Sequence, residues 1–392
     1  MILFIYRRLV PVAIFLSFLN FPILGILRTS YLIFISLSIF SVRYYKLISG
    51  FSLAVALHFF VAANLDDLNL FWFVKFLLTF AIFSVLDKYV KLDLNRSIAL
   101  LKFSLILFIS WVYIKLLLVS SGVISGSWRA SFPASDYSSV DSHLYAQVLT
   151  ILGLAFGLVT RLRSVFVKPH FFVLVSMVCF WFLANVLSSS RNGVAITTLV
   201  VIVCLLIVVF NVMFRGKVKV SYILGIGSFL SIFIVILIQS RDFMDLSEIA
   251  SLIKRSLGSL SIGDASTSVR LSELQNVVYD VDIWKSLFGV SIFNGRVGFY
   301  DGILTLSLAI FGTLLTGFVV ISLILLIYFM ISKKLYYTSS IIVVYCLQNL
   351  ISEFVFVSRG AVFSFLAILV VFRTEQEMKR HNVAEASSGT LG

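Results

Sequence analysis

Long apolar runs set the terms for this chain, because a helix needs about 20 apolar residues to cross a hydrocarbon core of about 30 Å. Twelve such runs tile the sequence, at 9–27, 30–42, 47–63, 70–86, 98–119, 143–160, 170–187, 193–214, 220–238, 302–331, 336–356 and 360–372. Hydrophobic residues make up 60% of the chain and charged residues 12%. Soluble domains average about 45–50% and about 25%, so an ordinary cytosolic enzyme is excluded. Within lipid each backbone N–H and C=O must be paired inside its own segment, which favours helices. The expected fold class is therefore all-α, a polytopic integral membrane protein of about twelve transmembrane helices. Runs 30–42 and 360–372 are short for a span, and 302–331 is long enough to be broken near Gly312 or Gly317.

Basic residues orient these spans. The net charge of +13 is scattered between apolar runs and forms no basic face, so nucleic acid is not an expected partner. The excess is topology information instead, since cytoplasmic loops carry more Lys and Arg. With a cytoplasmic N-terminus, eighteen basic residues fall on that side, among them Arg7, Arg8, Lys88, Lys91, Arg96, Lys333, Lys334, Arg373, Lys379 and Arg380. Both termini are then cytoplasmic. Lys75, Lys102, Lys115 and Glu353 lie within spans, most of them within snorkelling reach of an end.

The chain divides into nine helices over 1–238 with an outer loop at 120–142, a large outer loop at 239–301, three helices over 302–372, and a tail at 373–392. The apolar N-terminal stretch is too long for a signal-peptide core and is expected to stay as the first span. The small polar end, 384–392, reads as an appended remnant and is set aside from the fold. Cys179, Cys204 and Cys346 sit in apolar runs as small hydrophobes, implying no disulfide framework. Loop 239–301 is too long for a passive connector and reads as a lid or binding loop. Within it, 247–257 and 270–279 have helical periodicity, and 283–293 is an apolar stretch expected at the interface.

Soluble catalytic signatures are missing from the sequence: it has no P-loop, no dinucleotide fingerprint, no zinc-spaced Cys pair and no His-Glu-x-x-His. No metal and no cofactor is expected. What stands out is the composition of the outer basic residues. They are Arg28, Arg129, Arg191, Arg241, Arg255, Arg270, Arg296 and Arg359, with Lys254 and Lys285. Arginine is favoured where a planar fork must hold phosphate or carboxylate at two points. The outer face therefore reads as an anion site, while single arginines also fit pairing with lipid headgroups or with loop carboxylates such as Asp242 and Glu273.

Four outer segments set arginine or acid beside small residues. They are Trp128-Arg129 followed by His143, the turn Ser188-Ser189-Ser190-Arg191-Asn192-Gly193, the stretch Ser268-Val269-Arg270, and Leu287-Phe288-Gly289 through Tyr300-Asp301-Gly302 toward Gly312 and Gly317. This order resembles that of the bacterial O-antigen polymerases and is close to the pattern of the O-antigen ligases. In that superfamily a Ser-Arg-Gly-like turn precedes a span, as Ser190-Arg191-Asn192-Gly193 does here. An arginine then opens a segment leading to a Pro-Leu-x-Gly-x-Gly-like stretch, to which Arg270 and Ser286-Leu287-Phe288-Gly289-Val290-Ser291 are similar. A His-Asn-x-x-Leu with spaced glycines follows in the family, and Asp301-Gly302-Ile303-Leu304 stands in that place here. The ligase branch carries a histidine at this motif, and loop 239–301 has none, which favours polymerase over ligase.

The resemblance implies a bacterial inner-membrane enzyme with a periplasmic active site. It would transfer a growing glycan from undecaprenyl pyrophosphate to the non-reducing end of an incoming lipid-linked repeat unit. Partners so implied are that lipid-linked oligosaccharide, membrane lipids and a separate chain-length regulator in the membrane. Arg191, Arg270 and Arg296 are the first candidates to hold pyrophosphate, with Arg129, Arg241 and Arg359 behind them. Asp301 is the leading base candidate, or else a helix cap. His143 is the second, or else an interfacial cap. The rivals are an O-antigen ligase acting on a lipid A core and a flippase for lipid-linked oligosaccharide.

Overall fold

The computed structural model describes residues 2–19, 22–24, 27–38, 67–123, 131–133, 139–163, 177–178, 180–181, 184–185, 303–349 and 358–388. Helix dominates them: α1 (Ile2–Leu19), α2 (Thr29–Ser38), α3 (Asp67–Leu92), α4 (Leu94–Ser120), α5 (Ser139–Arg163), α6 (Ile303–Ser332), α7 (Tyr336–Asn349) and α8 (Ser358–Ser388). Three stretches are long and apolar enough to cross a membrane, Leu94–Val119, Leu144–Arg163 and Gly312–Ser332. Their surroundings differ: 67% of the most apolar stretch in α5 is buried, against 6% in α6. A helix apolar on every side and left uncovered by protein, as Leu314, Phe318, Ile321, Leu325 and Tyr328 are, is suited to lipid tails.

The described fold is all-α, with one hairpin too short to change its class. The antiparallel hairpin, β1 (Pro22–Leu24) with β2 (Leu27–Arg28), pairs Pro22 with Arg28 and Leu24 with Leu27. Helix α1 covers Ile2–Leu19, whereas the first expected span was 9–27. Helix α8 continues through residues 384–388 to Ser388. The short run 360–372 is thus the apolar part of a helix of 31 residues. As expected, α6 breaks at Gly312, where φ is 68° and ψ −178°, a conformation open essentially to glycine alone.

The chain forms two compact units, Met1–Leu101 with Gly263–Gly392, and Lys102–Ile262. In the first, α3 packs on α8, α2 and α1, and α7 packs on α6 and α8. Buried residues recur every three or four positions along α8, at Phe363, Leu366, Val370 and Thr374, the spacing of one helix face. Phe83 meets Phe365 edge-on at 5.4 Å, and Arg373 reaches Asp87 at 3.0 Å, so α3 and α8 run parallel. Tyr345 also lies against the Phe365 ring, at 6.4 Å, while Glu375 binds the start of α7, so α7 and α8 are antiparallel. The Glu375 carboxylate accepts the backbone N–H groups of Tyr337 at 3.1 Å and Thr338 at 2.9 Å, and the Thr338 hydroxyl at 2.6 Å. It thereby supplies from a neighbouring helix the cap that Leu335 has no side-chain oxygen to provide.

In the second unit, α5 receives the indole of Trp181 directly over Gly153, and Trp181 donates to the Leu149 carbonyl at 2.8 Å. Asn185, one turn further, donates to the Trp181 carbonyl at 3.0 Å and accepts from Thr150 at 2.9 Å. Small residues that let helices approach, with polar side chains bonded across the gap, are the usual means of holding helices together in lipid.

Candidate functional site

The expected site residues meet the described structure at few points. His143 lies in the second turn of α5 and Arg359 is the second residue of α8, and the side chains of both fall outside the described residues. Arg129, Arg191, Arg241, Arg270, Arg296 and Asp301 also lie outside them, as does the whole loop 239–301.

What the structure does define is the support beneath the first long loop. Ser131, two residues past Arg129, is buried together with Phe132. Two groups on one face of α4, a single turn apart, hold it. Trp111 donates its indole N–H to the Ser131 carbonyl at 2.7 Å, and Lys115 donates its ammonium to the Ser131 hydroxyl at 2.8 Å. Lys115 is 2% exposed, so it does not snorkel out of its span. Holding a buried ammonium requires hydrogen-bond acceptors, and the returning loop provides one.

Phe132 then completes an aromatic cluster. Its ring meets Phe108 edge-on at 5.6 Å and Tyr145 at 5.4 Å, while Phe108 and Tyr145 stack at 4.7 Å. The Tyr145 hydroxyl donates to the Phe108 carbonyl, so the polar tip of a fully buried ring is satisfied. Tyr145 stands two residues after His143 on α5. One short segment, Ser131–Phe132, therefore ties the loop carrying Arg129 to the helix carrying His143.

Trp111, Lys115, Ser131 and Tyr145 were not among the residues picked from sequence. A signal was present, since a tryptophan and a lysine spaced i, i+4 inside an apolar run put two donors on one face and call for acceptors nearby. Their acceptors come from a loop, which no periodicity marks.

A second gathering of charge lies at one end of the first unit. Asp93 sits 3.6 Å from Arg7 and 3.2 Å from Arg96. Asp87 pairs with Lys91 and with Arg373, and Lys379 donates to the Lys333 carbonyl. Arg7, Lys91, Arg96, Lys333, Arg373 and Lys379 are all residues that the distribution of charge assigned to a single side. No protein-family model matches this chain, and neither a curated protein nor a solved structure does.

Proposed function

We propose that this chain is a membrane glycosyltransferase of the O-antigen polymerase type, with about twelve spans, both termini cytoplasmic and its active site on the periplasmic side of a bacterial inner membrane. The observation that carries this reading is the ordered series Arg191, Arg270, Leu287-Phe288-Gly289 and Asp301-Gly302, confined to loops of one side and followed by Gly312 and Gly317. The break in α6 at Gly312 supports it, since one of the spaced glycines serves there as a backbone feature and not merely as a small residue. The parallel course of α3 and α8 is what the fourth and twelfth of twelve spans would show.

In this reaction the acceptor sugar hydroxyl attacks the anomeric carbon of the growing glycan. The carbon–oxygen bond to pyrophosphate breaks, undecaprenyl pyrophosphate leaves with the bonding electron pair, and the hydroxyl proton passes to a base. Pyrophosphate is an activated leaving group, so the main need is to stabilise its developing charge with fixed cations. Arg191, Arg270 and Arg296 take that role, with Arg129, Arg241 and Arg359 around them. Asp301 or His143 accepts the proton.

The test is incubation of the purified protein with lipid-linked repeat units, followed by chain-length analysis. Polymer growth on the lipid carrier is the expected result. Transfer only to a lipid A core would make the protein a ligase, and movement of lipid-linked units across vesicles without growth would make it a flippase.

A further inference from the structure

Arg7 and Arg8 lie in the second turn of α1, and Arg96 is the third residue of α4. Arg7 and Arg96 share one carboxylate at the α3–α4 junction, and Arg8 lines the same cleft. Asp93 caps α4 by accepting the Arg96 backbone N–H at 3.1 Å, and its other oxygen lies 3.2 Å from the Arg96 guanidinium and 3.6 Å from that of Arg7. Arg8 turns the other way, its guanidinium 5.5 Å from the centre of the Phe4 ring. Among the described residues no carboxylate forms an ion pair with Arg8. Phe4 and the three arginines line a cleft of about 390 Å³.

Among the described residues, three guanidinium groups stand with one carboxylate, an excess of two positive charges, and those groups line an open cleft. Arg96 stands at the start of the apolar stretch Leu94–Val119, and Arg7 and Arg8 immediately precede the apolar part of α1. The cleft thus lies where a span leaves the hydrocarbon core, which is the depth of lipid phosphates. Guanidinium forks match phosphate oxygens two at a time. The ring of Phe4, 65% exposed, adds an apolar wall suited to glycerol and acyl carbons.

We propose that the cleft of Phe4, Arg7, Arg8 and Arg96 binds a phosphate monoester or diester, supplied by the headgroup of an anionic lipid. The site is independent of the glycan-transfer reading and stands or falls by itself.

Native mass spectrometry of the full chain in detergent, with added phosphatidylglycerol, phosphatidylcholine or inorganic phosphate, tests it. The protein should retain phosphatidylglycerol in preference to phosphatidylcholine, and the double variant R8Q/R96Q should retain it roughly tenfold less. The variant K333Q/K334Q removes the same charge elsewhere and should behave as the unaltered protein. Asp93→Asn keeps the helix cap while removing the carboxylate, so it should retain the lipid more tightly and gives a readout should R8Q/R96Q fail to fold. Equal retention of both lipids, no loss in R8Q/R96Q, an equal loss in K333Q/K334Q, or no gain in Asp93→Asn would overturn the site. Displacement of the lipid by millimolar inorganic phosphate would overturn the headgroup as the source and assign the cleft to free phosphate.

Discussion

Arg373 donates to Asp87 across 3.0 Å, joining two helices at residues 286 positions apart. Asp87 is 4% exposed at its side chain and also pairs with Lys91, so one nearly buried carboxylate serves two cations. Breaking a buried pair leaves an uncompensated charge, which costs about 3–5 kcal/mol. Asp87→Ala should therefore lower the thermal unfolding midpoint sharply in detergent, and Lys91→Ala, which removes the more exposed partner, should do so much less. Equal midpoints for the two variants would refute this ranking.

Glu375 closes the N-terminus of α7 from a different helix, so its loss should be felt at Tyr337 and Thr338, not along α8. Glu375→Ala leaves two backbone N–H groups and the Thr338 hydroxyl without their acceptor, at about 1–3 kcal/mol for each group left unpaired. Hydrogen exchange should quicken at the first turn of α7 and stay slow near Phe363.

Lys115 is held by the segment that follows Arg129, and a hydrogen bond to a charged group contributes about 1.5–3 kcal/mol. Lys115→Met fits the same space and removes the donor. Trypsin should then cut after Arg129 faster than in the unaltered protein, and an unchanged rate would show that Trp111 alone anchors the loop.

Gly153 offers no room for a side chain, because an added Cβ would come within 2.0 Å of the Trp181 indole. Gly153→Ala should displace the indole and weaken its bond to Leu149, destabilising by about 1–3 kcal/mol as overpacking does. Gly157 has nothing within 4 Å of the same position, so Gly157→Ala serves as the control and should leave unfolding unchanged or slightly delayed.

For the proposed reaction, Arg191→Ala and Arg270→Ala should each abolish chain growth at normal protein levels in the membrane. Loss of one fixed donor to a developing oxyanion costs about 10²–10³ in rate. Normal glycan length in either variant would remove that arginine from the site.

Much of the helical framework was legible because its cause is local. Apolar runs located α4, α5 and α6 within a few residues, and of the two glycines at which α6 was expected to break, Gly312 is the one. Arg7, Lys91, Arg96, Lys333, Arg373 and Lys379, which the charge distribution assigned to one side, take part in ion pairs and hydrogen bonds within the first unit. The run 9–27 is offset from α1 because Arg7 and Arg8 interrupt the apolar run without interrupting the helix. Of the candidate site, sequence supplied the residue types and their order, and the described residues add the anchored loop beside Arg129 and His143.

By itself the sequence determined that the chain is helical and apolar enough for lipid, because hydropathy and periodicity act over one or two turns. Only the tertiary structure decided that Lys115 turns inward to Ser131, that Glu375 caps a foreign helix, and that Arg7 and Arg96 share Asp93. Those choices depend on which polar groups come within about 3 Å of each other in space, where hydrogen bonds form. Such distances join residues far apart along the chain, and no local pattern encodes them.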